Sequence, residues 1–517
     1  MDGNFEACFE LLKKNIRLNR FCYSLYTEKY LNEILVTAVE AKDPGLSREV
    51  AERLVCLAGT AAGEVAVVLC FSALGLCKDE KILRSLLEYT YEYRDNIGPD
   101  SAYDIFQQTS NITFRFPETD SLEVLDLKNR IYQWVLVQYK EVLKELLTTI
   151  PAKERKEDFV VVITQQLLEY QHGPTKQALC KSKALMDAGY KVLLINTAEI
   201  MPNVSTLRIT GKTYSGYIET YLEKDALDWD GVRIPFFQCE HNMPNYEVIS
   251  QLLKVIRDLK PAFAVSIASG TVFEGLLSEL IPVLGIPMSQ SDVVISGATC
   301  QIHTGNKNKN YEKYLEILGL DDSRIIESEF SFSLTEQKEF RTRKELNIDE
   351  DAFLMVVAGG RIADELDDKF WDMMRKALKS VEGSKLMVMG NYNRFDELSD
   401  ISEYLIPVGF VNDSQSYFEL CDLFINPHRK GGGTGCVEAL SKGVPVVTDP
   451  YGDVAANAGD VFCVSGYEEF LQVIEKYSRD KEFYKSQSEL AKKRAEYLLN
   501  ADDTFIKAVK EFIQRIK

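Results

Sequence analysis

The chain is predicted to be an α/β protein in which two doubly wound, Rossmann-like halves follow an all-helical region. Three observations predict it. Residues 1–150 repeat apolar positions at helical spacing and contain no glycine-rich loop followed by a helix. From residue 159, apolar β-branched runs alternate with helical segments, as in a parallel sheet covered on both faces. The same alternation restarts at residue 353, after a join near residues 330–345.

The first region sets Phe9, Leu11, Leu12 and Ile16, then Leu31, Ile34, Leu35 and Ala38, on apolar helix faces with charges between them. Asp43-Pro44-Gly45 and Gly98-Pro99-Asp100 are turn signals that divide it into helical pairs. No fixed repeat signature accompanies them, and the region reads as a packing or interaction unit for a protein partner. Residues 159–164 (Phe159-Val160-Val161-Val162-Ile163-Thr164) predict a buried strand, 176–188 a helix capped by Gly189, and 191–196 the next strand. Further strands are expected at 262–267 and 283–284. In the second half, strands are expected at 353–358, 385–389, 404–408, 422–425 and 444–447, with a helix over 370–381. The expected units are residues 1–150, 151–335 and 336–517. Ligands of such sheets bind beyond the carboxyl ends of the strands, so two facing halves predict one cleft.

Composition narrows the class. Apolar residues are 45% and charged residues 27%, as in globular proteins, and the formal net charge of -19 argues against a nucleic-acid or anionic-membrane partner. Eleven scattered cysteines without a CxxC pair fit reduced thiols and a cytoplasmic location. The start, Met1-Asp2-Gly3-Asn4-Phe5-Glu6, lacks the basic segment of a signal peptide. The apolar run at residues 65–77 is 13 residues long, too short to cross a bilayer.

The richest stretch follows the strand ending at Ile425. Asn426-Pro427-His428-Arg429-Lys430-Gly431-Gly432-Gly433-Thr434-Gly435 is a basic glycine-rich loop opening a helix that carries Glu438 one turn in. Backbone N–H groups of such a loop can approach an anion, and the helix start adds partial positive charge. Arg429 and Lys430 supply full charges, and Glu438 is placed to accept hydrogen bonds from a diol. The arrangement suits a sugar carried on a diphosphate.

With three further segments, this loop resembles the donor-binding half of GT-B glycosyltransferases, in particular the group 1 family. Ala358-Gly359-Gly360-Arg361 resembles a strand-ending loop whose arginine contacts the donor diphosphate. Met389-Gly390-Asn391-Tyr392-Asn393 resembles the next glycine loop, and Val408-Gly409-Phe410-Val411 the segment that reads the nucleobase. The resemblance implies a GT-B fold and a nucleoside-diphosphate sugar, UDP-linked, as donor. It implies no cofactor and no metal. It assigns donor binding to Gly360, Arg361, Asn391, Tyr392, Phe410, Val411, His428, Arg429, Lys430, Gly432, Gly433, Thr434, Gly435 and Glu438. The pattern departs from the family at two places: Gly431 stands where a first glutamate is expected, and Leu366 where a lysine is, with Lys369 nearest. The glycine run and the helical region before two Rossmann halves are similar to cytosolic protein glycosyltransferases of the O-GlcNAc-transferase and bacterial N-glucosyltransferase kind. Residues 285–291 resemble their acceptor-side loop.

Inversion needs a base for the acceptor proton. His172, His303 and His241 are the candidates, all on the acceptor half, and which of them serves is left open. Asp228-Trp229-Asp230 matches a metal–diphosphate motif of another fold, but it precedes Gly231 and reads as a solvated turn. The implied acceptor is a cytosolic protein or peptide. A glycan- or lipid-directed transferase, an epimerase of the same fold, and a catalytically inactive GT-B module that binds or chaperones a partner are the alternatives.

Overall fold

A computed structural model of the protein describes residues 3–170, 172–200, 216–240, 243–288, 293–304, 307, 310–334, 336–499 and 501–516. The first region is helical throughout, from Gly3–Leu18 to Leu122–Leu143. The expected breaks are real. Asp43 caps the helix Pro44–Ala58, accepting a hydrogen bond from the Gly45 amide, and Gly98, at φ 80°, interrupts the helix Arg94–Arg115. The apolar run at 65–77 forms the helix Glu64–Leu76, buried on nearly every side. No helix among the described residues is long and apolar enough to cross a membrane.

The first sheet has eight strands: β1 (Lys156–Thr164), β2 (Lys191–Asn196), β3 (Ala226–Trp229), β4 (Val232–Gln238), β5 (Pro261–Ile267), β6 (Val283–Ile286), β7 (Cys300–His303) and β8 (Ile325–Glu327). Their order is β3-β4-β2-β1-β5-β6-β7-β8, and every pairing is parallel except β3 with β4. Asp228 lies on β3 and Asp230 in the tight turn before β4, at the sheet's outer edge. The second sheet contains β9 (Phe353–Ala358), β10 (Ser384–Met389), β11 (Leu405–Gly409), β12 (Leu423–Ile425) and β13 (Val446–Val447). It is wholly parallel, in the order β11-β10-β9-β12-β13.

Alternation along the strands divides the cores. Val161 and Ile163 of β1 face the helical region, whereas Val160 and Val162 face the opposite side. The helical region is therefore continuous with the first sheet: its helix Leu122–Leu143 packs on the helix Val272–Leu280. Gly275 allows this closeness, since a Cβ there would lie 2.8 Å from the Leu136 side chain. The other side of the sheet is covered by the helix Gly173–Asp187 and by the final helix, Ala501–Arg515, through Phe505, Val509 and Phe512. Each such apolar side chain contributes about 1.5–3 kcal/mol when fully buried. The last helix, grouped with residues 336–517 in the sequence, thus closes the core of the first sheet instead. Its amphipathic pattern is visible in sequence, but which sheet receives it is not.

Candidate functional site

The site forms where the carboxyl ends of β9, β10 and β12 meet the start of the helix Gly173–Asp187. Backbone hydrogen bonds lace the strand ends together: the Gly359 amide donates to Met389 at 3.0 Å and the Gly390 amide to Gly409 at 2.7 Å. Gly390 has φ +135° and its missing Cβ would lie 2.0 Å from the Gly359 carbonyl oxygen, so only glycine fits. After β12, Gly432 at φ +102° turns the chain into the helix Gly433–Ser441. Gly433, Thr434 and Gly435 form the first turn of that helix, where amides have no intrahelical partner.

Arg429 is placed differently from the sequence expectation. It is 3% exposed, and its guanidinium donates to Asn426 Oδ1 at 2.7 Å, Glu365 Oε2 at 2.8 Å and the Ala358 carbonyl at 2.8 Å. The glycines around it make this room: a Cβ at Gly359 or Gly432 would fall 2.4 or 2.7 Å from its nitrogens. Arg429 is a buried strut that shapes the loop, not a charge offered to an open pocket. Burial pushes the Glu365 carboxyl up, but the guanidiniums of Arg429 and Arg361 outweigh it and hold the group below its ordinary value.

Arg361 is the more accessible cation, 35% exposed along its side chain. It bonds Glu365 through Nε at 3.1 Å and lies 4.8 Å above the ring of Phe114, from the helical region. This explains Gly431. A Cβ there would lie 2.5 Å from Arg361 Nη2 and 3.4 Å from Phe114, so the guanidinium occupies the space beside Gly431. Lys430 Nζ meets Asp120 Oδ2, also from the helical region, at 2.9 Å. His428 bonds Asp449 through Nδ1 and stacks on Tyr451 at 4.8 Å; the Asp449 carboxylate draws its pKa upward.

Glu438 is buried, accepts a hydrogen bond from Ser414 Oγ and faces Lys176 Nζ at 3.6 Å. Burial raises its carboxyl, opposed by Lys176. Lys176 belongs to the helix Gly173–Asp187, so this pair joins the first-sheet unit to the second. Beside it, a Cβ at Gly173 would stand 3.3 Å from Thr434 Oγ1. His172 is the N-cap of that same helix, with Nδ1 3.1 Å from the Thr175 hydroxyl. Burial, with Arg361 nearby, pushes its pKa down to about 4. Two helix starts, a neutral imidazole, Arg361 and the glycine-rich loop are thereby brought close together.

Other predicted residues fare differently. Tyr392 is 8% exposed and packed against Trp371 and Phe395 at ring distances of 5.4 and 5.0 Å, so it is core and not a platform for a base. Asn391 and Gly360 are exposed, Phe410 is 64% exposed, and Val411 packs on the second sheet's core. His303 is 1% exposed, held by Glu327 at 3.0 Å and edge-on to Tyr311 at 5.0 Å, on a strand separated from β1 by β5 and β6. Its surroundings are those of a buried histidine at the carboxyl end of β7. His241 and the second part of the 285–291 loop lie outside the described residues. Among the described residues no group of three His, Cys, Asp or Glu side chains is placed to hold a metal ion. Sequence reading missed Lys176, Glu365, Ser414, Phe114 and Asp120. Only Glu365 left a local signal, four residues after Arg361 on a short helix.

Residues 354–480 match the family model described as "Glycosyl transferases group 1". The C-terminal half carries a group 1 glycosyltransferase domain. No curated protein matches this chain significantly. Among solved structures, a mutant O-GlcNAc transferase from Thermobaculum terrenum is similar over 100% of this chain and 98% of its own, at 12% identity and TM-score 0.54. HepE from Anabaena in complex with UDP matches 68% of this chain and 99% of its own, at 12% identity and TM-score 0.48. The fold is GT-B. Within it the glycosyltransferase domain contributes the glycine-rich loop and Glu438, and the first sheet contributes His172 and Lys176.

Proposed function

We propose that this protein transfers a hexose or HexNAc from a UDP-linked donor to a cytosolic protein or peptide, with His172 as the base. The observation that carries the reading is the closeness of two helix starts: neutral His172 caps one, and a Cβ at the adjoining Gly173 would stand 3.3 Å from Thr434 Oγ1 in the glycine-rich start of the other. The donor diphosphate would lie against the amides of Gly433, Thr434 and Gly435, near Arg361 and Lys430. The nucleobase would lie beside Phe410 and Val411. Those groups neutralise the leaving nucleotide as the bond from the sugar's anomeric carbon to the phosphate oxygen breaks. With Nδ1–H donated to Thr175, His172 Nε2 accepts the acceptor proton as the new glycosidic bond forms. A base on the opposite side of the sugar from the leaving group suits inversion. The whole-chain similarity to an O-GlcNAc transferase supports this class of sugar and acceptor.

The test incubates the protein with a panel of nucleotide sugars and candidate acceptor polypeptides. Intact mass then reports a hexose or HexNAc adduct, and nucleotide release reports turnover. An adduct lost in His172→Ala, with UDP binding retained, is expected. Turnover that is unchanged in that variant overturns the role of His172. Absence of any adduct, with UDP still bound, favours a binding module instead.

A further inference from the structure

The helical region reaches into the glycosyltransferase domain through residues 114–120. Phe114 lies under the Arg361 guanidinium, Arg115 pairs with Asp364, Asp120 holds Lys430, and the charge of Glu118 reaches His428. The segment is firmly built. Thr119 is fully buried, its amide donating to the Phe116 carbonyl at 2.9 Å and its hydroxyl to the same oxygen at 2.7 Å. The Asp120 amide donates to Pro117 at 3.0 Å, and Ser121, not Asp120, caps the next helix. The Asp120 carboxylate is therefore not committed to capping, and it is presented at the edge of an anion site from outside the glycosyltransferase domain.

We propose that Asp120 is a positioning residue of the donor site: its carboxylate holds Lys430 when the site is empty and yields that ammonium to the donor diphosphate when it is filled. The inference rests on the reading of the loop as a donor site. The chemistry is a competition between two anions for one cation. A carboxylate offers one charge, whereas a nucleoside diphosphate offers more and is also met by Arg361 and the helix start. Lys430 can turn from one to the other by rotation of its flexible stem. Binding of the donor thereby loosens one of the contacts that join the helical region to the donor half, and the helical region sets how tightly the donor is held.

The test measures binding of UDP, and of pyrophosphate in parallel, to the full chain by titration calorimetry. The Lys430–Asp120 pair is partly exposed, with side-chain exposures of 13% and 32%. Its loss is expected to tighten UDP roughly two- to fivefold in Asp120→Asn, the range of a partly screened pair. Asp120→Glu, which keeps the charge, is expected to bind UDP like the unsubstituted protein. Lys430→Ala is expected to weaken binding, and adding Asp120→Asn to it is expected to change nothing further. Damage to structure would weaken binding, so a gain separates competition from misfolding. An Asp120→Asn variant that binds equally or more weakly overturns the proposal, and so does a gain that persists without Lys430. If Lys430→Ala leaves UDP binding untouched, or neither probe binds any variant, the donor-site reading itself fails. Weakening by Lys430→Ala without a gain in Asp120→Asn overturns only the competition.

Discussion

Replacing Arg429 by methionine separates a buried strut from a donor ligand. The guanidinium is 3% exposed and makes hydrogen bonds to Glu365, Asn426 and the Ala358 carbonyl. Methionine keeps most of the volume and removes the charge, leaving Glu365, whose side chain is 6% exposed, without its main partner. Removing one member of a buried pair costs about 3–5 kcal/mol. Arg361 still bonds the other Glu365 oxygen at 3.1 Å, so the low end applies, about 3 kcal/mol. At roughly 2–4 °C per kcal/mol for a unit of this size, the melting transition of the donor half falls by about 6–12 °C. Differential scanning fluorimetry of the unliganded full chain measures it, with Lys430→Ala as the control, expected to lower the midpoint by little. Adding Glu365→Gln to Arg429→Met removes the stranded charge and is expected to restore part of the loss. A melting midpoint unchanged in Arg429→Met, with donor binding abolished, would refute the strut and return Arg429 to the ligand contacts.

Further expectations concern the base and the packing. His172→Asn is expected to lower turnover by about 10²–10⁴-fold with UDP affinity retained, the range of a lost general base. Because the folded imidazole titrates at about 4, the acid limb of kcat/KM is expected well below 6.5, and Arg361→Gln moves it upward by removing a nearby positive charge; a limb at 6.5 in both proteins contradicts this. The unfolded imidazole takes its proton near 6.5. Stability is therefore lost as pH falls from about 6.5 to about 4 and is unaffected above, a slope that urea midpoints of His172→Gln should lack. Gly390→Ala puts a Cβ 2.0 Å from the Gly359 carbonyl oxygen, and a cost of about 2–6 kcal/mol from strain and overlap is expected to unfold the donor half, read by limited proteolysis. Gly275→Val presses on Leu136 and Tyr132, and about 1–3 kcal/mol of overpacking is expected to speed cleavage between the helical region and the first sheet; unchanged digestion argues against that close contact.

Several features were legible in sequence because they depend on neighbours along the chain. Strand cores such as Val160-Val161-Val162 and Leu354-Met355-Val356, the breaks at Asp43 and Gly98, and the glycine-rich start of the helix at Gly433 all follow from local pattern and backbone freedom. Strands β3, β7 and β8 escape sequence reading because they are only three or four residues long, and β4 because its buried positions alternate with exposed ones and Pro235 interrupts it. The histidines looked alike in sequence, each in a polar or glycine-containing stretch. Tertiary packing distinguishes two of them, placing His303 at the end of β7 beside Glu327 and His172 at a helix start near Arg361. The same holds for the two adjacent cations, Arg429 and Lys430. One is buried among carbonyl and carboxylate oxygens, and the other reaches a carboxylate 310 residues away in the chain.

Periodicity and glycine spacing are local properties, and they carry the two doubly wound halves, the helical region before them and the glycine-rich helix start at Gly433. Long-range packing brings Glu438 to Lys176, sets Arg361 in the space beside Gly431, and places Phe114 and Asp120 of the helical region against the glycosyltransferase domain. Those contacts join residues far apart in the chain. Their geometry is fixed by how the first sheet, the second sheet and the helices share apolar cores, and no local pattern carries that information.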